Sequence, residues 1–197
     1  MKKIPNFIIC LIIIFQSCTG QKSPKKEIYN KDFKWTITIP ENFDTISAVQ
    51  WAKLQNRGTK AIEKTYDQKI DNKTNTIFVF KSDELNYFES NYQPFDTLKD
   101  GNYLKSCQSV NEVLYHTFMT QMKGVTVDTA TSTEKIDNLE FQTLKMNVTY
   151  PNNMVLHIFM YSRLFHKKEF SVNIMYVNKE KGELMLGSWK QSKFGRR

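Results

Sequence analysis

LEFQTLKMNVTYPNNMVLHIFMYSRLFHKKEFSVNIMYV, residues 139–177, holds three apolar runs separated by two short polar breaks. In the last run, Glu169–Val177, the residues Phe170, Val172, Ile174 and Tyr176 alternate with Ser171 and Asn173. That is the period of a strand with one buried face. Leu139–Thr149 sets Leu144, Met146 and Val148 on one face, and Met154–Arg163 is a further apolar strand. Pro151-Asn152-Asn153 and Phe165–Lys168 supply the turns between them, because Pro and Asn favour tight reversals. A Thr-rich strand, Val125–Ile136, precedes the three. Four consecutive strands with short links pair antiparallel.

Upstream, Leu104, Cys107, Val110/Asn111, Leu114, Phe118 and Met122 form a helical stripe that Gly124 ends. Before it lie a β-rich run at Thr76–Lys81 and a second strand at Tyr87–Tyr92. Trp51, Leu54, Gly58, Ala61/Ile62 and Thr65 recur at steps of three and four, one face of a helix with Thr45 or Ser47 as its cap. Gly58 weakens that helix by about 1 kcal/mol, which predicts a close approach to the sheet. Phe33, Trp35, Ile37 and Ile39 alternate with polar residues in an opening strand that Pro40 stops. A helix near Glu180–Lys193, with Leu184, Met185 and Trp189, closes the chain. No repeat and no Pro/Gly-rich break follows residue 33, so residues 33–197 read as one domain. The expected fold class is α+β, an antiparallel sheet of about six strands covered by three helices on both faces.

The amino end has the parts of a secretory signal. Lys2 and Lys3 precede a nearly continuous apolar run from Ile4 to Phe15, too short for a transmembrane helix of about 20 residues. Gln16-Ser17-Cys18 then places a small residue before a cysteine. This resembles the lipobox of bacterial lipoproteins, with Phe15 where Leu is usual and Gln16 where a smaller residue is common. The resemblance implies cleavage of residues 1–17 and acylation of Cys18 by palmitate-type chains. Each buried methylene contributes about 0.8 kcal/mol, and more than one chain makes the anchor stable. Residues 18–32 carry Lys22, Ser23-Pro24, Lys25 and Lys26 with no apolar period, so they read as a flexible lipidated tether. The expected location is the bacterial cell envelope. The residues after Cys18 are not acidic, which points to a periplasm-facing anchor.

The precursor's formal net charge of +8 falls to +6 once Lys2 and Lys3 are removed. The excess is spread out, with small clusters at Lys22–Lys26, Lys167-Lys168 and Lys190–Arg197. Secretion argues against nucleic acid as a partner, and a mildly basic surface suits an anionic envelope. Of three cysteines, Cys10 is discarded and Cys18 acylated, so Cys107 has no disulfide partner within the mature chain. The domain therefore rests on its core, which a chain of this length can supply.

The segment Trp35-Thr36-Ile37-Thr38-Ile39-Pro40-Glu41-Asn42-Phe43 is similar to the opening of PsbP-like proteins, a strand followed by Pro, Glu and a bulky aromatic. The helix Trp51–Tyr66, the strand Ile77–Lys81 and the closing helix with Ser188, Trp189 and Phe194 follow in that family's order. The resemblance implies an α/β/α sandwich. It also implies a binding or assembly role, because relatives include a photosystem subunit, a nuclear import factor and bacterial envelope lipoproteins. No catalytic motif defines the family.

The chemistry-bearing residues fit that reading. Cys107 lies on the apolar stripe of its helix, and His116, nine residues on, points the other way. A buried structural thiol is the expectation. His116, His157 and His166 fall on a helix, a strand and a turn with no ligand spacing, so no metal is expected. Asp83-Glu84 and Glu134 sit near strand ends with no carboxylate placed opposite. No GxSxG, P-loop or GxGxxG occurs, and no cofactor is expected. Tyr87, Phe88, Tyr92, Phe95 and Tyr103 crowd one stretch; exposed, they would form a partner-binding patch, and buried, they would cover the core edge. The expected function is a non-catalytic, membrane-anchored protein-binding or assembly module. The alternative is a small-ligand or lipid carrier with a cavity between sheet and helices, and an enzyme ranks third.

Overall fold

The structure, a computed structural model, describes residues 26–195. The expected signal peptide, Cys18 and tether residues 18–25 lie outside the described residues. The main sheet is antiparallel throughout. It contains β3 (Asp44–Ile46), β4 (Asn75–Asp83), β5 (Asn86–Pro94), β6 (Thr126–Ile136), β7 (Leu139–Thr149), β8 (Val155–Phe165) and β9 (Lys168–Tyr176). Their spatial order is β3-β4-β5-β9-β8-β7-β6. The four-strand meander β6 to β9 docks through β9 onto β5, with Phe88 opposite Ile174 and Tyr92 opposite Phe170. Tight turns hold the meander in register. Asp137 and Asn138 both have positive φ between β6 and β7, as a two-residue hairpin loop requires. His166 takes the same left-handed region between β8 and β9.

A second sheet of three strands stands apart: β1 (Lys26–Asn30), β2 (Trp35–Ile39) and β10 (Lys193–Phe194), in the order β1-β2-β10. Two expectations change here. Among the described residues the main sheet has seven strands rather than about six, with three more outside it. Residues 26–30, read as part of a flexible tether, instead pair with β2 from Lys26↔Ile39 to Asn30↔Trp35. Ile28 packs on the core at that edge, which ties the segment down.

The helices are α1 (Ala48–Tyr66), α2 (Tyr103–Gln121) and α3 (Lys179–Lys190). Ser47 caps α1: its Oγ accepts from the Gln50 N–H at 3.2 Å, and Gln50 Oε1 accepts from the Ser47 N–H at 3.2 Å. This capping box satisfies two end donors. Asn102 and Asn178 cap α2 and α3 in the simpler way. α3 packs with β2, β5 and β9 on one face of the main sheet, while α1 and α2 pack with each other and with β4, β6 and β7 on the opposite face. No helix among the described residues is long and apolar enough to cross a membrane.

The α3 face is a dry aromatic core. Trp35, Phe80, Phe88, Phe141, Phe170 and Trp189 are fully buried there. Phe80 and Phe88 stack at 4.5 Å between centroids, and Trp35 meets Phe170 edge-on at 5.1 Å. Such pairs add to simple area burial. α3 approaches β9 so closely that a Cβ on Gly182 would lie 2.5 Å from the Tyr176 ring. The Ser188 hydroxyl donates to the Thr38 carbonyl, fixing α3 to the small sheet.

A candidate ligand cavity under α1 and α2

The other face of the sheet is built differently. α1 and α2 have nineteen residues each, yet each fully buries one, Trp51 and Thr117. α3, with twelve residues, buries three. The apolar stripe expected on α2 is present, but Leu104 remains 52% exposed and Leu114 and Phe118 are only half-buried. Between these helices and the sheet lies a half-open cavity of about 1050 Å³. Gly58 corrects a further expectation. Nothing lies within 4 Å of a Cβ placed on it, so it marks open space beside the cavity rather than close contact with the sheet.

Strand alternation makes the cavity floor. On β5 the odd positions Tyr87, Glu89, Asn91 and Gln93 point inward, and on β9 so do Glu169, Ser171, Asn173 and Met175. Pairing sorts them into rows. Tyr87, Met175, Ile158 and Met146 form an apolar row, and Asn91, Ser171, Ser162 and Gln142 a polar one. Between these two rows Glu89 faces Asn173 and then Met160. Beyond the polar row Gln93 faces Glu169.

Glu89 is 6% exposed. Trp51 Nε1–H donates to its Oε1 at 2.7 Å and Gln55 Nε2 at 2.6 Å, while Asn173 Nδ2 donates to Oε2 at 3.1 Å. Trp51 also packs edge-on against Tyr87 at 4.8 Å, and the two rings frame this end of the cavity. Burial, and then the neighbouring Glu89 charge, pushes the Tyr87 hydroxyl far above its ordinary range. At the other end, Gln93 Nε2 donates to Glu169 Oε2 at 2.6 Å. Burial raises the Glu169 carboxyl above the ordinary range in spite of that bond. The Tyr103 hydroxyl is enclosed near Ser162, Cys107 and Glu169 and makes no hydrogen bond of ordinary geometry.

The sequence-derived candidates distribute unevenly over this frame. Cys107 lines the cavity, its Sγ 3.6 Å from Ser162 Oγ. Burial raises its thiol, which disfavours the thiolate a nucleophile needs. His116 is exposed on α2. His157 stacks on Tyr176 at 4.8 Å and shares a 2.7 Å hydrogen bond with Asn147. Among the described residues no group of three or more His, Cys, Asp or Glu could hold a metal. Asp83 is a structural clamp, accepting from Lys181 Nζ at 2.7 Å and the Leu85 N–H at 2.9 Å. Glu134 pairs with Lys145 at 2.7 Å.

The aromatic stretch 87–103 is not an exposed patch. Phe88 and Phe95 are buried, and Tyr87, Tyr92 and Tyr103 are half-buried. Alternation sends Tyr87 to the cavity and Phe88 and Tyr92 to the dry core, while Phe95 packs edge-on against Tyr103 at 5.4 Å. Crowding in sequence became separation in space. The cavity was legible only indirectly. Two amphipathic helices needed a surface to cover, and the face left for them carried Glu, Asn and Ser.

No family model matches the sequence, and no curated protein matches it. Among solved structures, the chain is similar to the solution structure of cyanobacterial PsbP (CyanoP) from Synechocystis sp. PCC 6803. The TM-score is 0.55 at 10% identity, over 92% of this chain and 99% of that one. At that identity the likeness speaks to the fold alone, and the fold is PsbP-like.

Proposed function

We propose that this chain is a lipid-anchored envelope protein whose domain carries a small, largely apolar ligand between the sheet and helices α1 and α2. The observation that carries the reading is the cavity of about 1050 Å³, with many apolar side chains on its helix walls and polar groups converging on its floor. That combination is the usual build of a small-molecule site. A lipid anchor on Cys18 would hold the carrier at the membrane where apolar cargo resides. No step of chemistry is needed, and the raised Cys107 thiol suits a lining residue better than a nucleophile.

Two experiments test it. Protein isolated from its own envelope should yield a co-purifying apolar molecule on extraction and mass spectrometry. Ser171→Phe, which fills the floor, should remove that molecule while leaving the fold intact; a wild-type protein with nothing bound, and no uptake of apolar probes, would overturn the carrier reading. For the anchor, Cys18→Ala should abolish labelling by a clickable fatty acid and release the protein from membranes.

Protein docking keeps one supporting observation. β6 is an eleven-residue strand at the end of the main sheet, and such an edge can accept another strand. Crosslinking in native cells would recover a partner through β6 if that reading holds.

A further inference from the structure

Building on the carrier reading, the geometry points to a ligand that bears a cationic nitrogen, an amine-headed amphiphile whose head sits against Glu89 and whose chain lies along α1 and α2. Glu89 is nearly enclosed, yet its three partners, Trp51, Gln55 and Asn173, are all neutral donors. A buried carboxylate is costly unless a positive charge accompanies it. Here none does. No ion pair among the described residues includes Glu89 or Glu169. The one basic side chain in the described lining, Arg57, is exposed on α1.

The hydrogen bonds beside Glu89 point the same way. Asn173 Nδ2 donates to Glu89, which fixes Oδ1 as the acceptor end of the amide. That Oδ1 is enclosed and receives no donor. Buried acceptors without donors are rare in folded proteins. The floor therefore lacks positive charge, and an ammonium supplies it together with N–H donors. A phosphate or carboxylate head would instead face the Glu89 and Glu169 carboxyl groups. Overall composition does not explain this, because the chain as a whole has a net charge of +8.

The test uses one chain length and three heads: dodecylamine, dodecanol and dodecanoate, titrated at neutral pH. The full chain carrying Cys18→Ala is used, so that no detergent competes for the cavity. Trp51 fluorescence reports occupancy, since Trp35 and Trp189 lie in the opposite core. The amine is expected to bind at least about tenfold tighter than the other two, as a charge-assisted contact should. Glu89→Gln keeps the side-chain volume and an acceptor for Trp51. It should cost the amine at least about tenfold in affinity while leaving dodecanol unchanged. Equal binding of all three heads would overturn the cationic head and leave the carrier reading standing. Amine binding indifferent to Glu89→Gln would also overturn it. Failure of all three to bind would remove the carrier reading with it. The amine-over-alcohol preference needs no variant, so it decides the matter even if Glu89→Gln folds poorly.

Discussion

The two faces of the main sheet are written in the same strands but packed in opposite ways. On β9, Phe170, Val172, Ile174 and Tyr176 enter the core under α3, while Glu169, Ser171, Asn173 and Met175 face α1 and α2. On β5, Phe88, Ser90 and Tyr92 take the first side, and Tyr87, Glu89, Asn91 and Gln93 the second. The first face is filled by interlocking aromatic rings. The second is roofed by two long helices that each fully bury one residue, with α2 and its C-cap packing half-buried Leu114, Phe118 and Met122 on the sheet. The contrast separates two meanings of a polar strand position. Opposite solvent, it is a surface; under a helical roof, it is the lining of a site.

The comparison breaks most visibly by truncation. Trp189 is fully buried among Trp35, Phe141, Tyr161 and Phe170. Trp189→Ala is expected to lose about 3–5 kcal/mol. Leu114→Ala, on the half-buried stripe of α2, should lose about 1 kcal/mol or less, since its side chain already borders open space. Urea denaturation of both variants gives the ratio. Equal losses would mean that α2 packs as tightly as α3, and that the cavity closes in solution.

Two glycines sharpen the contrast by sign. Gly182→Ala drives a methyl into the Tyr176 ring, and overpacking of that kind costs about 1–3 kcal/mol. Gly58→Ala meets nothing and should gain up to about 1 kcal/mol from helix propensity. Thermal unfolding of the pair should move in opposite directions. A loss from Gly58→Ala would restore the close contact that the bare sequence suggested for that position.

That misreading shows what the sequence could carry. The alternation of Phe170, Val172, Ile174 and Tyr176, and the stripe from Leu104 to Met122, set the strands and helices because each has a face that must leave water. The order of the long elements followed from them. β3 and β10 escaped because three and two residues cannot display a period. β1 escaped because Ile28 and Tyr29 stand between charged and polar neighbours, and only pairing with β2 gives them a place. The lining of the cavity escaped for a different reason. Glu89, Asn91, Ser171 and Asn173 occupy positions that read equally well as solvent-facing, and their roof comes from helices distant in sequence.

The smallest expected effect concerns charge, and it again opposes the two faces. Asp83, beside the first turn of α3, is desolvated, but bonds from Lys181, Asn86, Leu85 and Ser82 outweigh that and hold its carboxyl below the ordinary 3.8. Glu169, in the cavity, is raised above the ordinary 4.5 by burial. The signs follow from proton counting. Unfolded Asp83 binds protons more readily than folded Asp83, so its contribution is full above pH 3.8 and is lost as pH falls toward the folded value. Folded Glu169 binds its proton more tightly than the unfolded chain does. Its carboxyl therefore erodes stability as pH rises from 4.5 through the folded value. Asp83→Asn should lower the melting temperature at neutral pH, with the deficit shrinking in acid. Glu169→Gln should raise it at neutral pH, with the gain vanishing below the ordinary carboxylate range, where Glu169 is neutral in both states. Each change should be about 1 kcal/mol or less, because solvent reaches both sites. A Glu169→Gln variant less stable than wild type at pH 7 would mean that the charged carboxylate is already compensated. The acidic floor would then not be short of a cation.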